Sequence, residues 1–395
     1  MTRVGRAVAH VDAGAIERNC ARLRCELRDG VQLCAVVKAD GYGHGAFPSA
    51  AAALAGGASW LAVASVQEAL AVVDERLPAR VLVLGPLRGG EVKEAVLLGL
   101  DIVVSEPELI AELSALAGEL ARTARVHVKL DTGMGRMGVR DPAHATRIVT
   151  AAATAPGVEL AGVMTHFATA DERGDAFFEE QLRRFTDWVR TVKQQHPHVV
   201  AHAANSAATL RDPAAHFDMV RCGIAVYGMD PFGEDPLARG LQPALTLSSY
   251  VAAVKLCRAG ESTGYGRRFT AAADTYLGLL PIGYGDGWRR ALSNNAEVLV
   301  GGARRPLVGT VSMDSVVADL GPDPAALALR ETPAILIGAQ DGERITAEEL
   351  ARRLNTINYE ITCGLTARVT RVHHDEDEVL AVGEEDEYDD GMFLV

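Results

Sequence analysis

The 395-residue chain lacks three things that would place it elsewhere: paired cysteines, a long apolar run and a basic excess. Its six cysteines (20, 25, 34, 222, 257 and 363) form no Cys-x-x-Cys pair and no metal-ligand spacing, so no metal site is expected. Reduced thiols in a cytoplasmic protein are the simplest account of them. No apolar stretch is long enough to span a bilayer, and residues 1–20 have no sustained apolar core, so neither a membrane span nor a signal peptide is expected. The formal net charge of −13 sets nucleic acid aside as a partner. Ten acidic residues crowd between Asp375 and Asp390, which leaves the remainder only about three charges negative. Residues 384–395 therefore read as a solvated acidic tail. With 48% hydrophobic and 23% charged residues, the composition is that of a globular protein of enzyme size.

Short runs rich in valine and leucine recur near 33–38, 60–64, 81–85, 101–104, 125–130, 160–165, 199–203 and 219–222. Helix-like stretches separate most of them: Ser65–Arg76, Glu106–Arg122, Asp141–Thr154 and Asp175–Gln195, with another at 14–28 before the first. Continuous apolar strands are what a parallel sheet buried on both faces requires, and eight of them alternating with helices predict an α/β fold, a (β/α)8 barrel of the TIM type. We assign it residues 10–240. After that the texture changes. Leu245–Leu256, Thr275–Pro281, Glu297–Val300, Arg305–Val311, Ser315–Leu320 and Ala334–Ile337 read as strands, with a hairpin turn at Gly301-Gly302. Residues 241–383 form the expected mainly-β domain.

Chemistry in such a barrel sits where the strands end in their C-terminal loops. Strand one delivers Lys38 into the loop Val36-Val-Lys-Ala-Asp-Gly-Tyr-Gly-His-Gly45, which holds Tyr42 and His44. A lysine at the mouth of an apolar strand is poorly solvated, which favours a neutral amine able to attack a carbonyl and hold it as a Schiff base. Strand five carries Lys129 and leads to Asp131 and Arg136; strand six ends at Thr165-His166; strand seven leads to Asn205-Ser206; strand eight carries Arg221, Cys222 and Gly223. Ser206 and the Gly223-Ile224 backbone lie where a barrel commonly holds a phosphate. Gly133-Met-Gly-Arg-Met-Gly138 matches the dinucleotide pattern G-x-G-x-x-G, but it follows the fifth strand and does not open directly into a helix. It is set aside.

The segment around Lys38 resembles the cofactor-binding motif of alanine racemases, and the resemblance covers most of the chain. Val128-Lys-Leu-Asp-Thr-Gly-Met-Gly-Arg-Met-Gly138, Met164-Thr-His-Phe167, His202-Ala-Ala-Asn-Ser206 and Val220-Arg-Cys-Gly-Ile224 look like the family's segments in order. So do Gly264-Tyr-Gly266, Pro281-Ile-Gly-Tyr-Gly-Asp-Gly287, Val311-Ser-Met-Asp314 and Asn355-Thr-Ile-Asn-Tyr-Glu360. The resemblance implies bound pyridoxal 5′-phosphate, an amino acid substrate and a homodimer whose active sites are shared between subunits. It implies that Lys38 forms the Schiff base and is one catalytic base. Tyr265, from the other subunit, is then the second base, assisted by His166. Arg221 matches the arginine facing the pyridine nitrogen, where a permanent cation disfavours protonation of that nitrogen. Our hypothesis is that this suppresses transamination; an Arg221→Glu variant with no more transamination per turnover than wild type would sink it. Arg136 and Met313 resemble the residues that receive the substrate carboxylate. Tyr42, Ser206, Gly223, Ile224 and Tyr359 match the phosphate contacts, and Lys129 matches a lysine carbamylated in many members.

Two departures stand out. Ser312 replaces the cysteine that many relatives have before the Met-Asp pair, and residues 384–395 look like an extension past the family's usual end. The implied function is interconversion of L- and D-alanine, supplying D-alanine for peptidoglycan. A racemase of another or broader range of amino acids is the alternative, because one methylene is worth only about 1–3 kcal/mol of discrimination. A decarboxylase of the same plan fits poorly with Tyr265 and Arg221, and a pyridoxal-phosphate carrier would lack the β domain.

Overall fold

In the computed structural model, which describes residues 5–74 and 77–374, the first element described is a strand, β1 (Val8–Asp12), that belongs to a sheet completed far downstream. Eight parallel strands follow: β2 (Gln32–Val36), β3 (Trp60–Val63), β4 (Arg80–Val83), β5 (Asp101–Val104), β6 (Ala124–Lys129), β7 (Val158–Met164), β8 (Val200–His202) and β9 (Met219–Cys222). They close into a barrel, with β9 pairing back on β2 so that Arg221 lies opposite Cys34. β3 and β5 are buried at every position, as strands covered on both faces must be. The helix Phe177–Gln195 turns Phe178, Gln181, Phe185, Trp188, Val189 and Val192 inward, the three-and-four spacing of an amphipathic helix. Pro142–Thr154 starts where Asp141 accepts from the N–H groups of Ala143 and His144, with proline at its first turn.

The expected barrel start at residue 10 needs correction. β1 pairs antiparallel with Leu245–Tyr250 and parallel with Thr370–His374, so its residues lie in the β-rich part and the barrel starts after it. That part has one sheet running Ala303–Pro306, Glu297–Val300, Pro333–Gln340, Leu245–Tyr250, β1 and Thr370–His374. A second has Ala253–Cys257, Thr275–Leu280 and Val316–Gly321.

Two expected strands are each shorter than the sequence suggests, for one physical reason. The stretch expected as Leu245–Leu256 changes sheets midway: Val251 N–H bonds Thr332 in the first, and Ala252 N–H bonds Leu279 in the second. The stretch expected as Arg305–Val311 does the same, with Leu307 N–H on Ala296 and Val308 N–H on Val317. Apolar periodicity continues through such a corner although the hydrogen-bond partner changes. Gly301 and Gly302 form the expected hairpin turn, both at positive φ (59° and 70°). Among the described residues of the expected helix Ser65–Arg76, only Val66–Ala69 is α-helical. The acidic tail lies outside the described residues, and no described helix is long and apolar enough to cross a membrane.

Candidate active site

Lys38 follows β2 by one intervening residue and begins a tight turn in which Ala39, Asp40, Gly41 and Tyr42 all take left-handed backbone angles, φ 51° to 60°. Three of these residues carry side chains, and each costs on the order of 1 kcal/mol in that region. Specific partners hold the turn. Glu68 accepts from the Ala39 N–H at 2.9 Å and the Ala64 N–H at 2.7 Å, and Asp40 accepts from the Ala46 N–H at 2.8 Å. Gly43 must be glycine: its φ is +86°, and a Cβ there would sit 2.2 Å from the Thr362 carbonyl oxygen. The helix Asn358–Cys363, which carries Tyr359, thus presses directly on the Lys38 turn.

These groups open on a cavity of about 740 Å³ at the carboxyl ends of the barrel strands. Lys38, Tyr42, Lys129, Arg136, His166 and Ser206 line it, joined by Arg221, Gly223, Ile224 and Tyr359. Ten residues expected from the sequence therefore meet in one place. Four are cationic types, and no carboxylate is among the described residues of its lining. Burial and the Arg136 charge lower the Lys38 pKa, against the opposing pull of Glu68. Burial takes Lys129 down to about 8, aided by Arg221 and Arg136. Asp131 faces elsewhere, accepting from the N–H groups of Gly133 and Gly135 and from Arg140.

At one end of the cavity, Ser206 Oγ accepts from the Gly223 N–H (3.0 Å) and the Ala225 N–H (3.3 Å), which leaves the hydroxyl hydrogen free to donate outward. The Tyr42 hydroxyl lies so close to Gly223 that a Cβ there would be 2.3 Å from it. Tyr42 stacks on Tyr227 at 5.1 Å and tilts against Tyr359 at 5.9 Å. Burial pushes the phenols of Tyr42 and Tyr359 upward, so both remain protonated donors.

Arg221 forms the floor and is 3% exposed. Its guanidinium donates to the carbonyls of Thr165 (2.9 Å) and Ala203 (3.0 Å), to His202 Nδ1 (2.8 Å) and to His166 Nδ1 (3.1 Å). Burial lowers its pKa to about 10, so it stays charged at neutral pH. His166 must accept at Nδ1, because a guanidinium has only donors, and so a neutral His166 carries its hydrogen on Nε2. Burial and the Arg221 charge push its pKa well below 6.5, which keeps it neutral.

Two expected site residues are elsewhere. Tyr265 is 72% exposed and Met313 is 52% exposed, both in the β-rich part and neither lining the cavity of their own chain. His44, seen in the sequence as part of the lysine loop, is also outside the cavity. It is fully buried, its Nδ1 facing the Gly41 and Tyr42 carbonyls, and it stacks on Tyr227. Sequence reasoning missed Glu68, which belongs to no motif, and the role of His202, which lies in a matched segment but whose partners are distant in sequence.

A family model described as the alanine racemase N-terminal domain matches residues 11–231, and one described as the alanine racemase C-terminal domain matches residues 244–373. The chain belongs to the alanine racemase family. Among relatives of the family, the alanine racemase of Symbiobacterium thermophilum is 42% identical over 369 residues, covering 93% of this chain and 97% of that protein. The solved alanine racemase from Streptomyces coelicolor A3(2) superposes with a TM-score of 0.89 at 41% identity, covering 94% of this chain and 99% of that one. The Bartonella henselae alanine racemase structure, described as having covalently bound pyridoxal phosphate, gives 0.81 at 28% identity, covering 93% and 99%.

Proposed function

We propose that this chain interconverts L- and D-alanine with pyridoxal 5′-phosphate, as a cytoplasmic homodimer with shared active sites, and so supplies D-alanine for peptidoglycan. The observation that carries the reading is the convergence of Lys38, Arg221 and the Tyr42–Ser206–Gly223 cluster on one cationic cavity. The donor set suits the cofactor. Tyr42, Ser206, Gly223, Ile224 and Tyr359 offer hydroxyls and backbone close to one another for a phosphate, and Lys38 offers a partly desolvated amine for an aldehyde. Bound pyridoxal phosphate supplies a sink for the electron pair left when the alanine Cα loses its proton.

The chain's own residues do the rest. Racemisation needs a base on each face of Cα, because a proton removed from one face must be returned to the other. Lys38, its pKa lowered, takes and returns the proton on one face. Tyr265 of a second copy does so on the other, which accords with its exposure on its own subunit. A phenol near its ordinary pKa of about 10 is a poor base at neutral pH. The Nε2–H of His166, whose other nitrogen is held by Arg221, is the donor this reading assigns to the Tyr265 oxygen. Arg136, with the backbone N–H of Met313 from a second copy, receives the substrate carboxylate.

Lys129 supports carbamylation: an amine titrating near about 8 has a neutral fraction at working pH. It takes up carbon dioxide at nitrogen and releases one proton, and the resulting anion pairs with and positions Arg136. Optical rotation of L-alanine solutions tests the activity. It decays to zero with the holoenzyme and stays constant with Lys38→Ala; constant rotation with both would overturn the reading.

A further inference from the structure

Beneath the cavity, a second series of polar groups crosses the barrel interior. Asp101 opens β5, His127 lies within β6 and His202 ends β8; all three are 0% exposed. Asp101 Oδ1 is 3.0 Å from His127 Nε2, His127 Nδ1 is 2.8 Å from His202 Nε2, and His202 Nδ1 is 2.8 Å from Arg221 Nη1. The series thus runs from the amino-terminal end of the barrel to the floor of the cavity. Among the described residues no carboxylate touches Arg221; the carboxylate that the series reaches through two rings is Asp101, which also pairs with Arg80 and Arg125.

Every hydrogen in the series has one allowed direction. Arg221 has donors only, so His202 Nδ1 accepts, and a neutral His202 carries its hydrogen on Nε2. That hydrogen goes to His127 Nδ1, which puts the His127 hydrogen on Nε2, pointing at Asp101. Burial raises the Asp101 pKa, but hydrogen bonds from His127 and Arg80 outweigh it and hold the carboxyl below its ordinary range. Arg125 Nε adds a contact at 3.3 Å. Burial, then the Arg221 charge, keeps His202 neutral. Anion at one end and cation at the other therefore order the two neutral imidazoles between them.

We propose that Asp101 is a positioning residue for Arg221, fixing through His127 and His202 the orientation in which the guanidinium faces the cavity. Its catalytic consequence rests on the reading of Arg221 as the group facing the pyridine nitrogen; the ordering of the histidines does not. His127 gives a clean test. Glutamine sets a donor beside an acceptor, as neutral imidazole does, whereas phenylalanine fills the space with neither.

Nitrogen-15 NMR of histidine rings in the cofactor-free chain reads the ordering directly. Wild type and His127→Gln should show His202 protonated at Nε2 and bare at Nδ1, whereas Asp101→Asn and His127→Phe should leave Nδ1 bare but shift the Nε2 signal, as its partner is weakened or lost. In the loaded enzyme, Asp101→Asn and His127→Phe should lower kcat about tenfold with KM within about threefold, and raise transamination per racemisation turnover. His127→Gln should recover most of both losses. An unchanged His202 signal in Asp101→Asn and His127→Phe overturns the proposal, as does a His127→Gln variant as impaired as His127→Phe. Wild-type protein that shows the ordered tautomers but no racemisation would instead overturn the proposed function and leave the ordering standing.

Discussion

The floor of the cavity and the surface around Tyr265 are both stiff, but in opposite ways. In the barrel, the side chains themselves are held: Arg221 is bound by two carbonyls and two imidazoles, and Ser206 by two N–H groups. In the β-rich part the backbone is held while the side chains stand free. The Tyr265 carbonyl accepts from Thr310 Oγ1 at 2.7 Å, and Gly264, at φ +76°, packs its backbone on Thr310. The Met313 turn is fastened by Tyr284 N–H to the Ser312 carbonyl (3.0 Å) and by Gly285 N–H to the Met313 carbonyl (2.9 Å). Yet Tyr265, Met313 and Tyr284 are all large, apolar and exposed. Large apolar side chains exposed on a held backbone mark a surface suited to something outside the subunit. On the proposed reading, one half of the site is built into the chain and the other is displayed for a second copy.

Removing the displayed base should have the largest effect on that contrast. Tyr265→Phe should lower kcat by about 10²–10⁴, the usual worth of a general base, while the cofactor still binds and the melting temperature is unchanged. An equal loss of cofactor binding would put Tyr265 in the architecture of the floor instead.

Lys129 sharpens the comparison next, because its charge belongs to the buried half. Unfolded, its amine titrates near 10.5; folded, near about 8. Between those values the unfolded chain binds more protons, so stability should rise with pH across that window, by roughly 3 kcal/mol at most. Below about pH 8 the full cost of burying the cation is present. Carbamylation abolishes it, so denaturation with and without bicarbonate should diverge at neutral pH and converge in alkali. Carbon-13 bicarbonate should also give a carbamate signal in wild type that Lys129→Ala lacks. Identical stability curves and no such signal would leave Lys129 as a plain amine.

Gly43→Ala should have the smallest effect, and on stability first. The new methyl meets the Thr362 carbonyl in a left-handed turn, which should cost about 1–3 kcal/mol and several degrees of melting temperature. A neutral result would mean that the Lys38 turn and the Tyr359 helix are not held in register.

The sequence revealed the two halves unequally, and the reason is locality. The barrel strands are continuous apolar runs whose partners are mostly next in order, so periodicity alone finds them and their polar ends mark the cavity. β1 escapes because its partners begin at residues 245 and 370, and no short-range pattern announces a pairing that distant. The sheet corners at 251–252 and 307–308 escape because hydrophobic pattern does not record which strand a residue bonds. Within the site, Lys38, Arg136, His166 and Arg221 stand out beside strand ends and glycine-rich turns. Asp101, His127 and His202 do not: they sit on three different strands, and only the closed barrel brings them into line. The separation of Tyr265 and Met313 from the cavity is likewise a property of the fold, and no motif contains it.

Mixing two inactive variants tests the shared site most directly. Lys38→Ala and Tyr265→Phe dimers, dissociated together and allowed to reassociate, form hybrids in which one of the two sites has both wild-type bases. Random pairing should restore about a quarter of the wild-type sites, and activity should rise to about that fraction. If both bases come from one subunit, no hybrid contains an intact site, and a mixture that stays inactive although hybrids are shown to form would contradict the account.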